Sequence, residues 1–263
     1  MIATPASEDE VVAAVRAAHE SGAALVVEGA GTKRCWGPAP AESARVLSLA
    51  GLSRVVAHEP GDMILSVETG ARLADVQRAL APHDQWLPFD PPFAAATTIG
   101  GVLATNAAGP RRLGYGTPKD HILGLRVVGG DGRVTKSGGR VVKNVSGYDL
   151  HRMHVGAWGA LGVLTLAHLK VSARPETSAL WALPCASLDD AHRLLLEVAA
   201  SPLRPVALEA LDAAEVEHAR RGGDAWSAAP ALAVVGLEGS RASFERHARD
   251  LAAFGGRGVG RAV

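Results

Sequence analysis

The chain has 263 residues, 48% of them hydrophobic, with 27 Lys and Arg balanced by 27 Asp and Glu. That length buries a core without covalent staples, as one large domain or two ordinary ones. Zero net charge with no long basic run argues against a nucleic-acid or membrane surface and leaves small molecules or proteins as partners.

Two cysteines, Cys35 and Cys185, exclude a disulfide framework and a cysteine-built zinc or iron–sulfur site, and fit a reducing cytosol. The opening Thr4-Pro5-Ala6-Ser7-Glu8-Asp9-Glu10 is acidic and has no apolar core, so no signal peptide is expected. No later apolar run nears the ~18 to 20 residues that cross a bilayer. The expected protein is soluble and cytoplasmic, reaching a membrane only through partners. Ser7 followed by Glu10 reads as a capping box, and Val11, Val12, Val15 and Ala18 recur at helical spacing until Ser21-Gly22 ends the helix. A strand from Ala24 to Val27 then runs into Glu28-Gly29-Ala30-Gly31-Thr32-Lys33-Arg34. A glycine-rich turn after a strand, ending in two cations, suits backbone N–H groups aimed at a phosphate. A Walker A loop fails because Lys33 follows Thr32 instead of preceding it. A dinucleotide G-x-G-x-x-G fails because Arg34 stands at the third glycine and Trp36-Gly37-Pro38-Ala39-Pro40 forbids the helix that should follow. A plain surface turn remains the alternative.

Val46 to Leu49 is a short apolar run. Arg54 to Ala57 and Met63 to Glu68 read as a hairpin turned by Pro60-Gly61-Asp62, and Leu73, Val76 and Leu80 mark an amphipathic helix over Arg72 to Leu80. This order is an α+β layout, not alternating βαβ. Residues 81–93, with Pro82, Pro88, Pro91 and Pro92, predict an extended connector. From Thr97 to Gly109, small residues flank one short turn of helix. Such smallness suits close approach to something flat or charged, with a buried small-residue helix as the alternative. Ile122 to Val128 and Arg133 to Ser137 flank the hairpin turn Gly129-Gly130-Asp131-Gly132. Val155 to Val171 is small and apolar, and its glycines Gly156, Gly159 and Gly162 let a ring or a second backbone lie close. Arg174-Pro175 reads as a boundary. Beyond it come strand Leu180 to Leu183, a Ser187-capped helix to Ala199, strands Val206 to Leu211 and Ala231 to Leu237, helix Ser243 to Phe254 and a final run Val259 to Val263. This outlines a ferredoxin-like αβ sandwich.

Three separated stretches then agree with one family. They are Gly29-Ala30-Gly31-Thr32-Lys33; Asp90-Pro91-Pro92 leading to Thr98-Ile99-Gly100-Gly101 and Thr105-Asn106-Ala107-Ala108-Gly109; and Gly156-Ala157-Trp158-Gly159-Ala160-Leu161-Gly162-Val163. Together they resemble the PCMH-type FAD-binding domain of the vanillyl-alcohol oxidase superfamily. Val142-Lys143-Asn144-Val145-Ser146-Gly147-Tyr148-Asp149-Leu150, after Gly114-Tyr115-Gly116 and Asp120-His121-Ile122-Leu123-Gly124, resembles the E-type flavin subunits of bacterial glycolate oxidases. The resemblance implies a PCMH-type domain of two α/β subdomains over 1–175 and a ferredoxin-like cap over 176–263. The cap reads as truncated, since family chains return from it to the flavin domain.

For the site, the resemblance implies FAD with its pyrophosphate on the amides of Gly29, Ala30, Gly31, Thr32 and Lys33. Thr98, Ile99, Gly100 and Gly101 would approach it from the other half of the domain. Asn106 and Gly109 would line the flavin, Pro91 would pack near it, and Val163 would meet the ring through its backbone. Thr32 and Lys33 stand where family members with a tethering histidine carry it, so non-covalent FAD is expected. Lys143, Asn144, Tyr148, Asp149, His151, Arg152 and His154 form the one dense polar cluster, a structured loop over the flavin or at a subunit contact. A metal shared by His151 and His154 lacks a third ligand, so no metal is expected. The cap carries no constellation that binds and deprotonates a hydroxy acid. The resemblance thus implies an oxidoreductase subunit working beside a sister FAD subunit and an iron–sulfur subunit. A stand-alone FAD-dependent dehydrogenase and a flavin-free structural subunit are the alternatives.

Overall fold

The computed structural model describes residues 2–37, 39–140, 148–222, 228–252, 254 and 261–262. Its strands and helices in chain order are β1 (Ile2–Ala3), α1 (Glu8–Ser21), β2 (Leu25–Glu28), β3 (Arg45–Ser48), β4 (Val55–Glu59), β5 (Ile64–Glu68), α2 (Leu73–Leu80), β6 (Gln85–Trp86), α3 (Ile99–Thr105), α4 (Arg112–Tyr115), α5 (Pro118–His121), β7 (Ile122–Val128), β8 (Val134–Gly138), α6 (Leu150–His154), β9 (Val163–Lys170), β10 (Ser172–Ala173), β11 (Thr177–Cys185), α7 (Leu188–Ala200), β12 (Ala207–Asp212), α8 (Ala213–Arg221), β13 (Ala231–Gly239), α9 (Arg241–Ala252) and β14 (Arg261–Ala262). The chain divides into two compact units, Met1–Gly109 with Gly116–Ala173, and Pro110–Tyr115 with Arg174–Val263, in each case for the described residues.

The two larger sheets of the first unit are of opposite character. β1, β3 and β2 pair in parallel. Helix α1 packs Val11 and Val15 with Leu47, Leu49 and Leu52. Its start follows from Ser7, whose Oγ accepts from the Glu10 N–H at 3.3 Å, and its stop from Gly22, left-handed at φ 65°. The capping box is displaced by one residue, because the Glu10 carboxylate accepts from the Ala6 N–H. The larger sheet, β4-β5-β9-β7-β8, is antiparallel. Leu73, Val76 and Leu80 of α2 and Ile99, Val102 and Leu103 of α3 bury against its Leu65, Val67, Leu125 and Leu169. Each such side chain contributes ~1.5 to 3 kcal/mol of burial. The connector over 81–93 is less plain than its prolines suggest: Ala81–His83 form a 3₁₀ turn and β6 pairs antiparallel with β10.

The second unit is one antiparallel sheet in the order β12-β13-β11-β14. Alternate residues of β13 serve opposite faces, as a strand period of two requires. Ala233, Val235 and Leu237 pack with Leu195 and Val198 of α7 and Leu251 of α9, while Leu232 and Val234 pack with Val216 of α8. Helix α8 is absent from the sequence expectations, although Asp212 and Glu215 spell a capping box and form one here. Pro110–Tyr115 joins this unit through Glu238 at the end of β13. Its carboxylate accepts from Arg111 Nε at 2.9 Å, the Tyr115 hydroxyl at 2.7 Å and Ser178 Oγ at 2.9 Å. Among the described residues no helix is long and apolar enough to cross a membrane, and both cysteines are free thiols.

Candidate functional site

Parallel pairing with β3 delivers β2 to Glu28, and the glycine loop begins there. Gly31 is left-handed at φ 67°, which reverses the chain and feeds a 3₁₀ turn over Arg34–Trp36. The turn is closed by Arg34 N–H to Gly31 O at 3.2 Å and Trp36 N–H to Lys33 O at 3.0 Å. Among the described residues, the N–H groups of Ala30, Gly31, Thr32 and Lys33 donate to nothing. These residues line a cleft of about 420 Å³ with Thr98, Gly101, Ala104, Thr105 and Trp158. Successive free backbone donors around a left-handed glycine form an anion-binding concavity.

The opposite wall is α3, and its donors are already used. Ile99 N–H goes to Ala71 O at 2.9 Å, Gly100 N–H to Thr69 O at 2.7 Å and Gly101 N–H to Thr98 Oγ1 at 3.2 Å. This wall therefore offers an anion shape without backbone charge. Smallness here serves packing. A Cβ on Gly29 would overlap the Thr98 side chain, and one on Gly100 would lie 2.9 Å from both Thr69 Cβ and its carbonyl oxygen. Ile99 is wholly buried in the core.

The third wall caps α3. Gly156 N–H donates to Leu103 O at 3.0 Å, which also accepts from Asn106 N–H, and Trp158 N–H donates to Ala104 O at 2.8 Å, at the end of the helix. The cost falls on Trp158, which sits at φ 56°, an uncommon conformation for a bulky residue. Its half-exposed ring lies against that of Trp36, centroids 6.1 Å apart and tilted by 55°.

Among the described residues, charge in the cleft comes from Glu28, Lys33 and Arg34. Arg34 pairs with Glu28. Lys33, 9% exposed, donates from Nζ to Thr97 Oγ1 at 2.6 Å and Thr32 Oγ1 at 3.3 Å, and stands 5.8 Å from the centroid of the Trp36 ring. Burial pulls its ammonium below the usual lysine range.

The remaining expected residues separate from this cleft. Val163 is buried and lines a second cleft of about 350 Å³, beside Val128, Gly130 and Ala18; Gly159 and Ala160 border both clefts. Asn106 is the left-handed C-cap of α3, and its Oδ1 accepts from Lys119 N–H at 3.0 Å. Gly109 takes Asp90 Oδ1 on its N–H at 2.9 Å and has no room for a Cβ against the Asp90 carbonyl. Pro91 is buried. In the polar cluster, Lys143 and Asn144 lie outside the described residues. Tyr148 is 90% exposed, and buried His151 shares a hydrogen bond with Ser137 Oγ at 3.2 Å. Burial lowers the pKa of both His151 and His154. Among the described residues no three His, Cys, Asp or Glu side chains gather as a metal site. Trp158 as a wall residue, and Thr97 and Trp36 as neighbours of the Lys33 ammonium, were missed; the one signal was the Thr97-Thr98 pair ahead of a short helix.

A run of free amides beside a buried cation fits a phosphate-bearing cofactor, and comparison with known proteins agrees. The model of the FAD binding domain matches residues 1–138. The chain belongs to this family. FAD is its cofactor. Glycolate oxidase subunit GlcD of Bacillus subtilis (strain 168) is 31% identical over 211 residues, covering 80% of this chain and 45% of its own length. Glycolate oxidase subunit GlcE of Escherichia coli (strain K12) is 38% identical over 156 residues, covering 59% and 44%. A D-lactate dehydrogenase of Archaeoglobus fulgidus is 32% identical over 228 residues, covering 86% and 51%. The chain thus spans about half the length of these relatives. A solved alkyldihydroxyacetonephosphate synthase, 20% identical, superposes with a TM-score of 0.79 over 99% of this chain and 51% of its own, a likeness of fold.

Proposed function

We propose that this chain is the flavin-holding part of an oxidoreductase acting on 2-hydroxy acids, of the kind formed by glycolate oxidase subunits. The observation that carries the proposal is the set of free N–H groups from Ala30 to Lys33 along one wall of the cleft. These donors hold the FAD diphosphate, Thr98 and Gly101 supply the facing surface, and the half-exposed Trp158 flanks a planar ring. FAD, when bound, supplies the hydride acceptor. Among the described residues lining the cleft there is no Cys, His or Tyr, which supports non-covalent attachment.

Residues 1–175 act as the PCMH-type flavin domain and 176–263 as its cap. The strand order β12-β13-β11-β14, with helices between antiparallel strands, supports a ferredoxin-like reading of that cap. The partners are a sister flavoprotein and an iron–sulfur subunit. The names of the glycolate oxidase relatives support the first. The second follows from electron flow: two cysteines cannot hold a cluster, so electrons leave to another protein or a soluble acceptor. A stand-alone dehydrogenase is the second reading, favoured by the longer match to D-lactate dehydrogenase.

The purified chain is expected to be yellow and to release its FAD into the supernatant on acid precipitation. A dye-linked assay with glycolate and D-lactate, on the chain alone and then with co-expressed partners, separates the readings. Turnover only with partners supports the subunit; ordinary rates of ~1 to 10³ per second by the lone chain support the dehydrogenase. A colourless protein that takes up no FAD overturns both.

A further inference from the structure

We infer that the Lys33 ammonium is the cation that fixes a diphosphate in the cleft, and so the residue that selects a dinucleotide over flavins carrying one phosphate or none. This inference rests on the FAD reading above. Among the described residues three charged side chains line the cleft, and Glu28 and Arg34 neutralise each other, which leaves Lys33. Among the described residues no carboxylate comes within ion-pair distance of its Nζ. Its neighbours are two threonine hydroxyls and the face of Trp36. These orient an ammonium without neutralising it.

A buried cation without an anion is costly to keep, so a fold that retains one at a cleft wall has a use for it. The depressed pKa is the mark of that cost. Four free N–H groups adjoin the same cation. A neutral ring leaves both unused, and a single phosphate covers fewer donors than a diphosphate.

The test is calorimetric titration of the flavin-free full chain with FAD, ADP, FMN and riboflavin. FAD and ADP are expected to bind at least about tenfold more tightly than FMN and riboflavin. Lys33→Met is expected to weaken FAD and ADP by about 10- to 100-fold, the scale of one charge-assisted hydrogen bond, with riboflavin unchanged. Lys33→Arg should retain most of the affinity. Without ligand, Lys33→Met should melt no lower than the parent, because it removes an unpaired buried charge. Unchanged FAD and ADP affinity in Lys33→Met overturns the inference alone. So does failure of that variant to fold, which would make Lys33 a structural residue. A parent chain that binds no FAD overturns the cofactor reading and this inference with it.

Discussion

Gly31 and Gly100 look alike in the sequence and do different work. At Gly100 an added Cβ meets the Thr69 backbone at 2.9 Å. Gly100→Val should therefore destabilise the first unit by roughly 1 to 3 kcal/mol and lose flavin as a consequence of unfolding. At Gly31 the space is open, the nearest atom being Glu28 Oε2 at 3.6 Å, and the demand is the positive φ. Gly31→Ala strains an exposed loop by ~1 to 2 kcal/mol, which the loop relieves by moving. Its FAD affinity should fall while its melting temperature holds. Melting curves with and without FAD check both variants; equal melting temperatures at the two positions would contradict the distinction.

At the scale of elements, the pairing of β5 with β9 sets Ser66 opposite His168, and Ser66 Oγ lies 2.8 Å from His168 Nδ1. Burial holds the His168 pKa below the usual histidine value, and Arg140, Lys136 and Arg126 lower it further. The unfolded chain therefore takes up a proton that the folded chain refuses. Stability is whole above the unfolded pKa of about 6.5 and is lost as pH falls from there toward the lower folded value. His168→Asn should flatten the drop in melting temperature between about pH 7.5 and 5.5. His151 and His154, lowered by burial with the same sign, keep part of that drop. An unchanged slope would remove His168 from the account.

Much at this scale was legible. Periodicity located α1, α2, both hairpins, and α7 and β13 because one face of each is buried and nothing competes locally. The glycine loop was legible because its donors are backbone, announced by small residues. The side-chain parts of the cleft were not. Trp158 reaches it through a left-handed conformation, and Thr97 meets Lys33 across 64 residues of sequence. Gly100 and Gly109 carry a signature that close approach to Thr69 and Asp90 leaves as readily as close approach to a ligand.

For the molecule as a whole, Pro110–Tyr115 is held in the second unit by Glu238 and by the Gly114 N–H, which donates to Val206 O at 3.3 Å. The Glu238 side chain is 3% exposed and that of Arg111 25%. Burial, then Glu238, push the Tyr115 hydroxyl well above the usual tyrosine range. Glu238→Ala removes the carboxylate that accepts from Arg111, Tyr115 and Ser178 and should cost about 1.5 to 3 kcal/mol. Tyr115→Phe removes one hydrogen bond and should cost about 1 kcal/mol. Hydrogen exchange of the β11 and β13 amides reads both. Equal protection in Glu238→Ala and the parent would show that the segment is held by other contacts.

That arrangement also sets an order of events during synthesis. Arg111 leaves the ribosome 127 residues ahead of its partner Glu238. At ~5 to 20 residues per second, Pro110–Tyr115 waits roughly 6 to 25 seconds for the strand that receives it. Throughout that interval Gly109 and Gly116, both in the first unit, bracket a loop whose bonds to Glu238 cannot yet form. A nascent chain stalled before β13 should therefore be cut by trypsin at Arg111 or Arg112, and the finished protein should resist cleavage there.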